Sequence, residues 1–156
     1  MTVRRPLVRW SPPPEHCYKA SFNATLFENS DCAGIGVVYR DHAGNFIAAL
    51  SQKIAMVQSV KLAEVFAARR AVVFAKELSL FQVMIEGDCL LVIQALNNSG
   101  QCNTLYDHVV EETQSLGSTL QHYQFQHVRR EGSRLVHALA RGAVVSGHRC
   151  MGKRFA

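Results

Sequence analysis

Two hydrophobic periodicities divide this chain near residue 60, and their order restricts the folds it can adopt. Apolar and polar residues alternate along the first segment, and the apolar set is Tyr18, Ala20, Phe22, Ala24 and Leu26. This period of two is typical of a half-buried β-strand. Residues 34–40 and 46–51 have strand composition as well, and turn-forming clusters at 28–31 and 41–45 separate the three segments. Short connections predict that the three strands form an antiparallel meander.

From Val60 to Glu77, helical spacing replaces the alternation. Val60, Ala63, Ala67, Ala71 and Phe74 recur at the intervals of one helix face. The remaining pattern predicts a strand at 81–86, helices at 90–96 and 104–116, a strand at 120–128 and a last helix after 133. Strands that are separated by helices need a crossover and therefore pair parallel. We predict an α/β fold: a five-stranded mixed sheet, its first three strands antiparallel, with helices on both faces.

A length of 156 residues fits one domain. Residues 1–16 form a basic, proline-containing lead-in, for which extended chain is expected. The predicted domain spans 17–148, and a basic tail follows at 149–156. Arginines in the lead-in and the tail either hold phosphates or are simply solvated.

The formal net charge of +5 fits a polyanionic partner such as nucleic acid, and on charge alone it fits a generic basic protein equally well. Five cysteines, an odd number without metal-ligand spacing, predict free thiols. No apolar run follows the basic start as in a signal peptide, and no segment approaches the ~18 apolar residues of a membrane span. We expect an intracellular protein of a reducing compartment, nuclear or cytoplasmic with an organelle still open, and monomeric.

Four polar residues on separate predicted elements are the candidates for a catalytic site: Asn23, Glu64, Asp88 and His137. Each also has an ordinary structural interpretation. Asn23 would be an outward-facing strand residue, and Glu64 a solvated helix residue near Lys61. Asp88 would be the N-cap of the following helix, and His137 would lie on the surface of the last helix. The residues taken singly do not decide between these interpretations.

Several segments together resemble the plant ribonuclease H-like family, the reverse transcriptase-like domains found alone and in plant retroelements. The segments are Trp10-Ser11-Pro12-Pro13, residues 19–24 and 34–44, Ala63-Glu64, Ile85-Glu86-Gly87-Asp88, and residues 128–140. The resemblance covers roughly residues 10–147. It implies a ribonuclease H-like fold and magnesium- or manganese-dependent hydrolysis of the RNA strand in RNA–DNA hybrids.

The resemblance also assigns roles to the candidates. Asn23 stands at the position of the first aspartate, which bridges two metal ions, and Glu64 and Asp88 stand at the next two acidic positions. His137 stands at the fourth, where plant relatives often carry histidine. Lys19, Arg40, Arg129, Arg130 and Arg134 are the candidate contacts to nucleic acid, or alternatively a solvated basic face.

Asn23 departs from this pattern because an amide has the shape of a carboxylate but no charge. With Asn23 and His137 in the set, Glu64 and Asp88 are the two anions left to face two divalent cations. We therefore expect a weakened two-metal site and slow or absent cleavage. Natural loss of the aspartate and a deliberate Asp→Asn replacement both fit the sequence. The alternative function is a non-catalytic module that binds nucleic acid or protein.

Overall fold

A computed structural model describes residues 10–27, 31–57, 59–98, 100, 103–129, 134–146 and 149–152. The elements in chain order are β1 (Tyr18–Leu26), β2 (Cys32–Arg40), β3 (Phe46–Ala55), α1 (Val60–Glu77), β4 (Gln82–Gly87), α2 (Leu90–Asn97), α3 (Leu105–Gly117), β5 (His122–His127), α4 (Arg134–Ser146) and β6 (Arg149–Gly152). One sheet has the strand order β5-β4-β1-β2-β3-β6. The β1–β2 and β2–β3 pairs are antiparallel, whereas β1–β4 and β4–β5 are parallel.

The predicted five-stranded mixed sheet is confirmed, and the structure adds one strand to it. Residues 149–152 of the predicted tail form a sixth strand, β6, which pairs antiparallel with β3. The N-cap of α2 is Cys89, whose side chain makes no capping hydrogen bond, so the interpretation of Asp88 as the N-cap is wrong. The division into lead-in, domain and tail otherwise stays a prediction.

The large core lies between one face of the sheet and α1, which buries a row of alanines against it. Small side chains let the helix approach the strands closely, and larger residues fill the space between them. Tyr39 is fully buried in this core and donates its hydroxyl to the carbonyl oxygen of Ala71 at 2.7 Å. Burial raises the pKa of Tyr39 well above its usual range, so the phenol stays neutral.

Helix α4 packs on the opposite face of the sheet, over β1, β2 and β3. Val136 and Leu139 contact Val38 and Ala49 there, in a second and smaller core. The helices therefore lie on both faces, as predicted. Among the described residues, no helix is both long and apolar enough to cross a membrane.

The lead-in packs against the domain from Trp10 onward. Lys19 and Arg40 lie over the Trp10 ring, with cation–centroid distances of 5.6 and 5.4 Å. Pro13 is buried, and the amide of Cys17 donates to the carbonyl of Pro14 at 3.0 Å. Cation–π contacts and proline burial thus hold this segment across the starting end of β1.

Candidate active site

The pairing of β1 with β4 brings Asn23 and Asp88 to one end of the sheet. Ser21 is the register partner of Glu86, so Asn23 lies two residues further along β1, level with the end of β4. Asp88 is the first residue after that strand. Side chains two residues apart in a strand share a face, so Ser21 and Asn23 both point toward the α4 side of the sheet.

His137 reaches the same place because glycines on β2 let α4 approach closely. Asn23 pairs with Gly36 across the β1–β2 ladder. A Cβ atom at Gly36 would lie 2.5 Å from the carbonyl oxygen of Val136 and 2.9 Å from Cβ of Leu139. The helix backbone therefore crosses directly over the strand pair, and His137 follows Val136 toward Asn23.

The three side chains form a hydrogen-bonded cluster. His137 Nε2 lies 2.9 Å from Asp88 Oδ2, and Asn23 Nδ2 lies 3.4 Å from both Asp88 Oδ1 and His137 Nε2. Asn23 is 1% exposed, and its Oδ1 is buried without a hydrogen-bond partner among the described residues. A buried oxygen without a partner costs about 1–3 kcal/mol, so the amide of Asn23 is incompletely hydrogen-bonded in this cluster.

Glu64 approaches the cluster from α1, on the other face of the sheet. It is 3% exposed, and its Oε1 accepts a hydrogen bond from the amide of Ala24 at 3.3 Å. The interpretation of Glu64 as a solvated helix residue is therefore wrong. The carboxylate binds the backbone one residue after Asn23, while Asn23, Asp88 and His137 are in direct contact with one another.

Lys19 does not suit the predicted role of a nucleic-acid contact. Its side chain is 5% exposed, and Nζ lies 3.1 Å from Glu86 Oε2 and donates to the carbonyl of Ser11 at 2.6 Å. Ser21 Oγ also donates to Glu86 Oε1, at 3.0 Å. Since the ammonium group is buried and satisfied internally, a phosphate has no access to it.

The predicted arginine contacts are spread over the surface. Arg129 is exposed and follows β5, at the same end of the sheet as Asp88. Arg40 pairs with Lys19 in the β1–β2 register, about 13 Å from Asn23 at ~3.3 Å per residue. Arg130 lies outside the described residues, as does the side chain of Arg134.

The sequence prediction missed His127 as a neighbour of the site. Its Nε2 lies 3.1 Å from the carbonyl oxygen of Asp88. The parallel register pairs Gly87 with His127, so the ends of β4 and β5 coincide. Both strands were predicted from the sequence, and the meeting of their ends was the signal that could have pointed to His127. The sequence does not fix the register of a parallel pair, however, so this meeting could not be predicted.

Two Mg²⁺ ions, as the resemblance implies, do not fit these residues. Asp88 is engaged by His137, and Asn23 presents an N–H group to both of them. Within the part of the chain that the structure describes, no three His, Cys, Asp or Glu side chains are placed to hold a metal ion. A pair of hard cations needs several converging carboxylates, which this cluster lacks.

Comparisons with known proteins agree with the fold. The structure is similar to RNase H1 of the halophilic archaeon Halobacterium salinarum, with TM-score 0.77, 21% identity, and coverage of 84% of this chain and 99% of that one. An N-terminal RNase H domain from Mycobacterium tuberculosis gives TM-score 0.69 and 18% identity, with 83% and 97% covered. LC11-RNase H1, solved in complex with an RNA/DNA hybrid, gives 0.66 and 20%, with 81% and 99% covered.

Sequence comparison identifies the family. No curated protein matches the sequence. Residues 21–143, most of the chain, match the family model described as reverse transcriptase-like. The plant origin stays a prediction. This chain therefore belongs to the reverse transcriptase-like family and has the ribonuclease H fold.

Proposed function

We propose that this chain binds RNA–DNA hybrid and that Asn23 reduces its cleavage of the RNA strand to a low rate. The observation that carries the proposal is the convergence of Asn23, Asp88 and His137 at one end of the sheet. Residues from β1, from the end of β4 and from α4 meet where the family resemblance expects its acidic site. The solved hybrid complex of LC11-RNase H1, which has this fold, supports hybrid as the ligand class.

The charge at the site argues for weak cleavage. Charge that develops during phosphodiester hydrolysis is stabilised by metal ions held between carboxylates. Here the first of those positions is an amide, and Asp88 is bound to His137. Since each ~1.4 kcal/mol of lost transition-state stabilisation is a tenfold loss of rate, one missing anion reduces the activity severely.

Restoring the carboxylate tests the proposal. Asn23→Asp should raise magnesium-dependent cleavage of a labelled RNA–DNA hybrid by about 100-fold or more, the scale for a group that acts on the transition state. Asn23→Ala is the matched control and should not gain activity. Asn23→Asp combined with Asp88→Asn should also stay inactive.

If Asn23→Asp leaves the hybrid intact with Mg²⁺ and with Mn²⁺, the nuclease proposal is wrong. Hybrid affinity then separates the two remaining functions. Salt-dependent binding of hybrid would indicate a non-catalytic nucleic-acid-binding module. The absence of binding at low salt would indicate a protein-interaction module.

We further propose a monomer that works in a reducing compartment, nuclear or cytoplasmic. Cys17, Cys32 and Cys89 are free thiols in the structure, in keeping with reducing conditions. Arg129 and Arg40 are the proposed phosphate contacts, together with Arg130 and Arg134. Lys19 is not among them because it is buried against Glu86.

A further inference from the structure

We propose that the outer side of β5, together with the groove beside it, binds an extended, uncharged segment of a partner protein. The segment pairs with β5 as a further strand and directs every second side chain into the groove. The proposal goes beyond the proposed function, because it requires neither hybrid binding nor cleavage. It follows from the backbone hydrogen bonds of β5, the composition of that strand and the lining of the groove.

Strand β5 is the last strand of the sheet and has a strand neighbour on one side, β4. The amides of His122 and Val128 donate to carbonyl oxygens at the two ends of β4, at 2.9 Å each. In a parallel ladder, residues that bond to the neighbouring strand alternate with residues that face away from it. Tyr123, Phe125 and His127 therefore direct their backbone N–H and C=O groups to the outer side.

This outer row of backbone groups is almost unpaired. Within the described part of the chain, one hydrogen bond reaches it, from Asn97 Nδ2 at the end of α2 to the carbonyl oxygen of Phe125 at 3.1 Å. A carbonyl oxygen has two lone pairs, so Phe125 still accepts from a second donor. An extended chain repeats its own N–H and C=O groups every two residues, about 6.8 Å, which is the spacing of the row.

The composition of β5 leaves this row open to another strand. Outermost strands of natural sheets are commonly protected by charged side chains, by proline or by a bulge. The strand reads His-Tyr-Gln-Phe-Gln-His, without lysine, arginine, acidic residues or proline, and its register with β4 runs without a shift. Strand β6, at the other side of the sheet, begins by contrast with Arg149.

A groove of about 430 Å³ adjoins the outer side of β5. Tyr123, Phe125 and Leu96 are the apolar part of its lining, and side-chain amides such as those of Asn98 and Gln114 are the rest. Tyr123 and Phe125 pack with the large core, on the face of the sheet that α2 and α3 cover. A strand paired with β5 would direct every second side chain to that same face, and therefore into the groove.

The lining indicates the chemistry of the segment. Among the described residues that line the groove, none carries a charge. A lysine or glutamate of the partner would be buried there without a counter-ion, which is costly. Nucleic acid is disfavoured as well, because its phosphates need cations. Apolar side chains find contacts on Tyr123, and polar uncharged ones find hydrogen-bond partners among the amides.

Selection from a displayed library of linear peptides, each about nine residues long, tests the inference. The recovered peptides should carry uncharged residues at every second position. N-methylation of alternate backbone amides in a recovered peptide should weaken binding about tenfold in one phase and little in the other, because one set of N–H groups faces β5. Amide hydrogen exchange of the protein should slow at Tyr123, Phe125 and His127 when the peptide binds.

Two variants of the chain locate the site. Tyr123→Pro removes one outer N–H group, a change that an outermost strand tolerates, and should weaken peptide binding about threefold to tenfold. Asn98→Lys leaves the backbone intact and adds a charge to the groove, so it should weaken an uncharged peptide and strengthen one that carries glutamate at the groove position. Gln94→Lys, on the exposed face of α2, is the matched control and should bind as the unaltered chain does. Circular dichroism of each variant shows whether it is folded.

The inference is overturned if no peptide is recovered, if both variants bind the peptide as tightly as the unaltered chain, or if exchange slows at other amides instead. It is also overturned if the chain alone dimerises and the dimer protects the same three amides, since the occupant is then a second copy. Failure of the proposed function looks different. In that case Asn23→Asp would not cleave hybrid, although peptide binding at β5 would be intact.

Discussion

Three single residues show how a side chain's neighbours decide its role. Asn23, Glu64 and Lys19 all occur in strand or helix patterns where an exposed polar residue is expected. In the structure they are 1%, 3% and 5% exposed. Their hydrogen-bond partners come from sequence positions far away, and no local pattern encodes such pairing. The sequence therefore indicated which residues to examine, but not which were buried.

The buried pair of Lys19 and Glu86 yields a prediction on stability. Lys19→Met leaves the Glu86 carboxylate buried without its cation and, among the described residues, with the hydroxyl of Ser21 as its remaining partner. The unfolding free energy should therefore fall by about 3–5 kcal/mol. Urea denaturation measures the change. A second substitution, Glu86→Met, should recover a large part of it because no lone charge is then buried. Equal stability of Lys19→Met and the unaltered chain would contradict the assigned ion pair.

At the scale of elements, the position of α4 depends on two glycines. A Cβ atom at Gly34 would meet the carbonyl group of Ala140, and one at Gly36 would meet that of Val136. The helix backbone thus lies against the strand itself, which fixes how far His137 projects toward Asn23. Any side chain larger than hydrogen at these positions must push α4 and its histidine outward.

Gly36→Ala should therefore lower the unfolding free energy by about 1–3 kcal/mol, as overpacking does. The matched control is Gly142→Ala in α4 itself, where a Cβ atom would meet none of the described atoms within 4 Å. Replacing a helical glycine by alanine should stabilise the chain by about 0.5–1 kcal/mol. Guanidinium denaturation compares the two, and equal effects would contradict the close packing of α4.

Helix α3 begins with a capping box, which leads to a prediction on pH. Asp107 accepts from the amide of Thr104 at 3.2 Å and from its hydroxyl at 2.9 Å. The hydrogen bond from the Thr104 side chain is the largest cause of a lowered Asp107 pKa. The resulting stability is complete above the unfolded-state pKa of about 3.9 and is lost as the pH falls through the lower folded-state value.

Asp107→Asn should therefore reduce stability at neutral pH and flatten the acid side of the stability profile. Thermal unfolding followed by circular dichroism from about pH 2 to about pH 7, which spans the usual carboxyl range, measures the stability profiles of the variant and of the unaltered chain. The two curves should converge at low pH, where both side chains are neutral. A constant gap between them down to the lowest pH would contradict the assigned role.

At the scale of the whole molecule, the order of the elements was largely predictable and the meeting of distant strand ends was not. The strand meander, α1 and the crossovers follow from periodicity and short turns, and the helix at 60–77 was predicted to the residue. The β4–β5 register, which brings His127 beside Asp88, depends on tertiary packing. The strand at 149–152 was missed because four residues are too few for a periodic signal.

Hybrid binding gives a prediction at this scale. Arg129→Ala should weaken hybrid affinity and reduce the slope of log affinity against log salt by about 1, since one phosphate contact is lost. Arg69→Ala removes the same charge from α1, where Arg69 pairs with Glu112, and should leave the slope unchanged. Fluorescence anisotropy at several salt concentrations measures both. Identical slopes for the two variants would argue against Arg129 as a contact.

The pairing of β6 with β3 matters to anyone who shortens this protein. The family match ends at residue 143, so a fragment trimmed to it would lack the strand at 149–152. The backbone of β3 from Ala48 to Ser51 would then form an exposed sheet edge with unpaired N–H and C=O groups. Such edges recruit strands from other molecules, so the trimmed fragment should self-associate and precipitate where the longer chain does not.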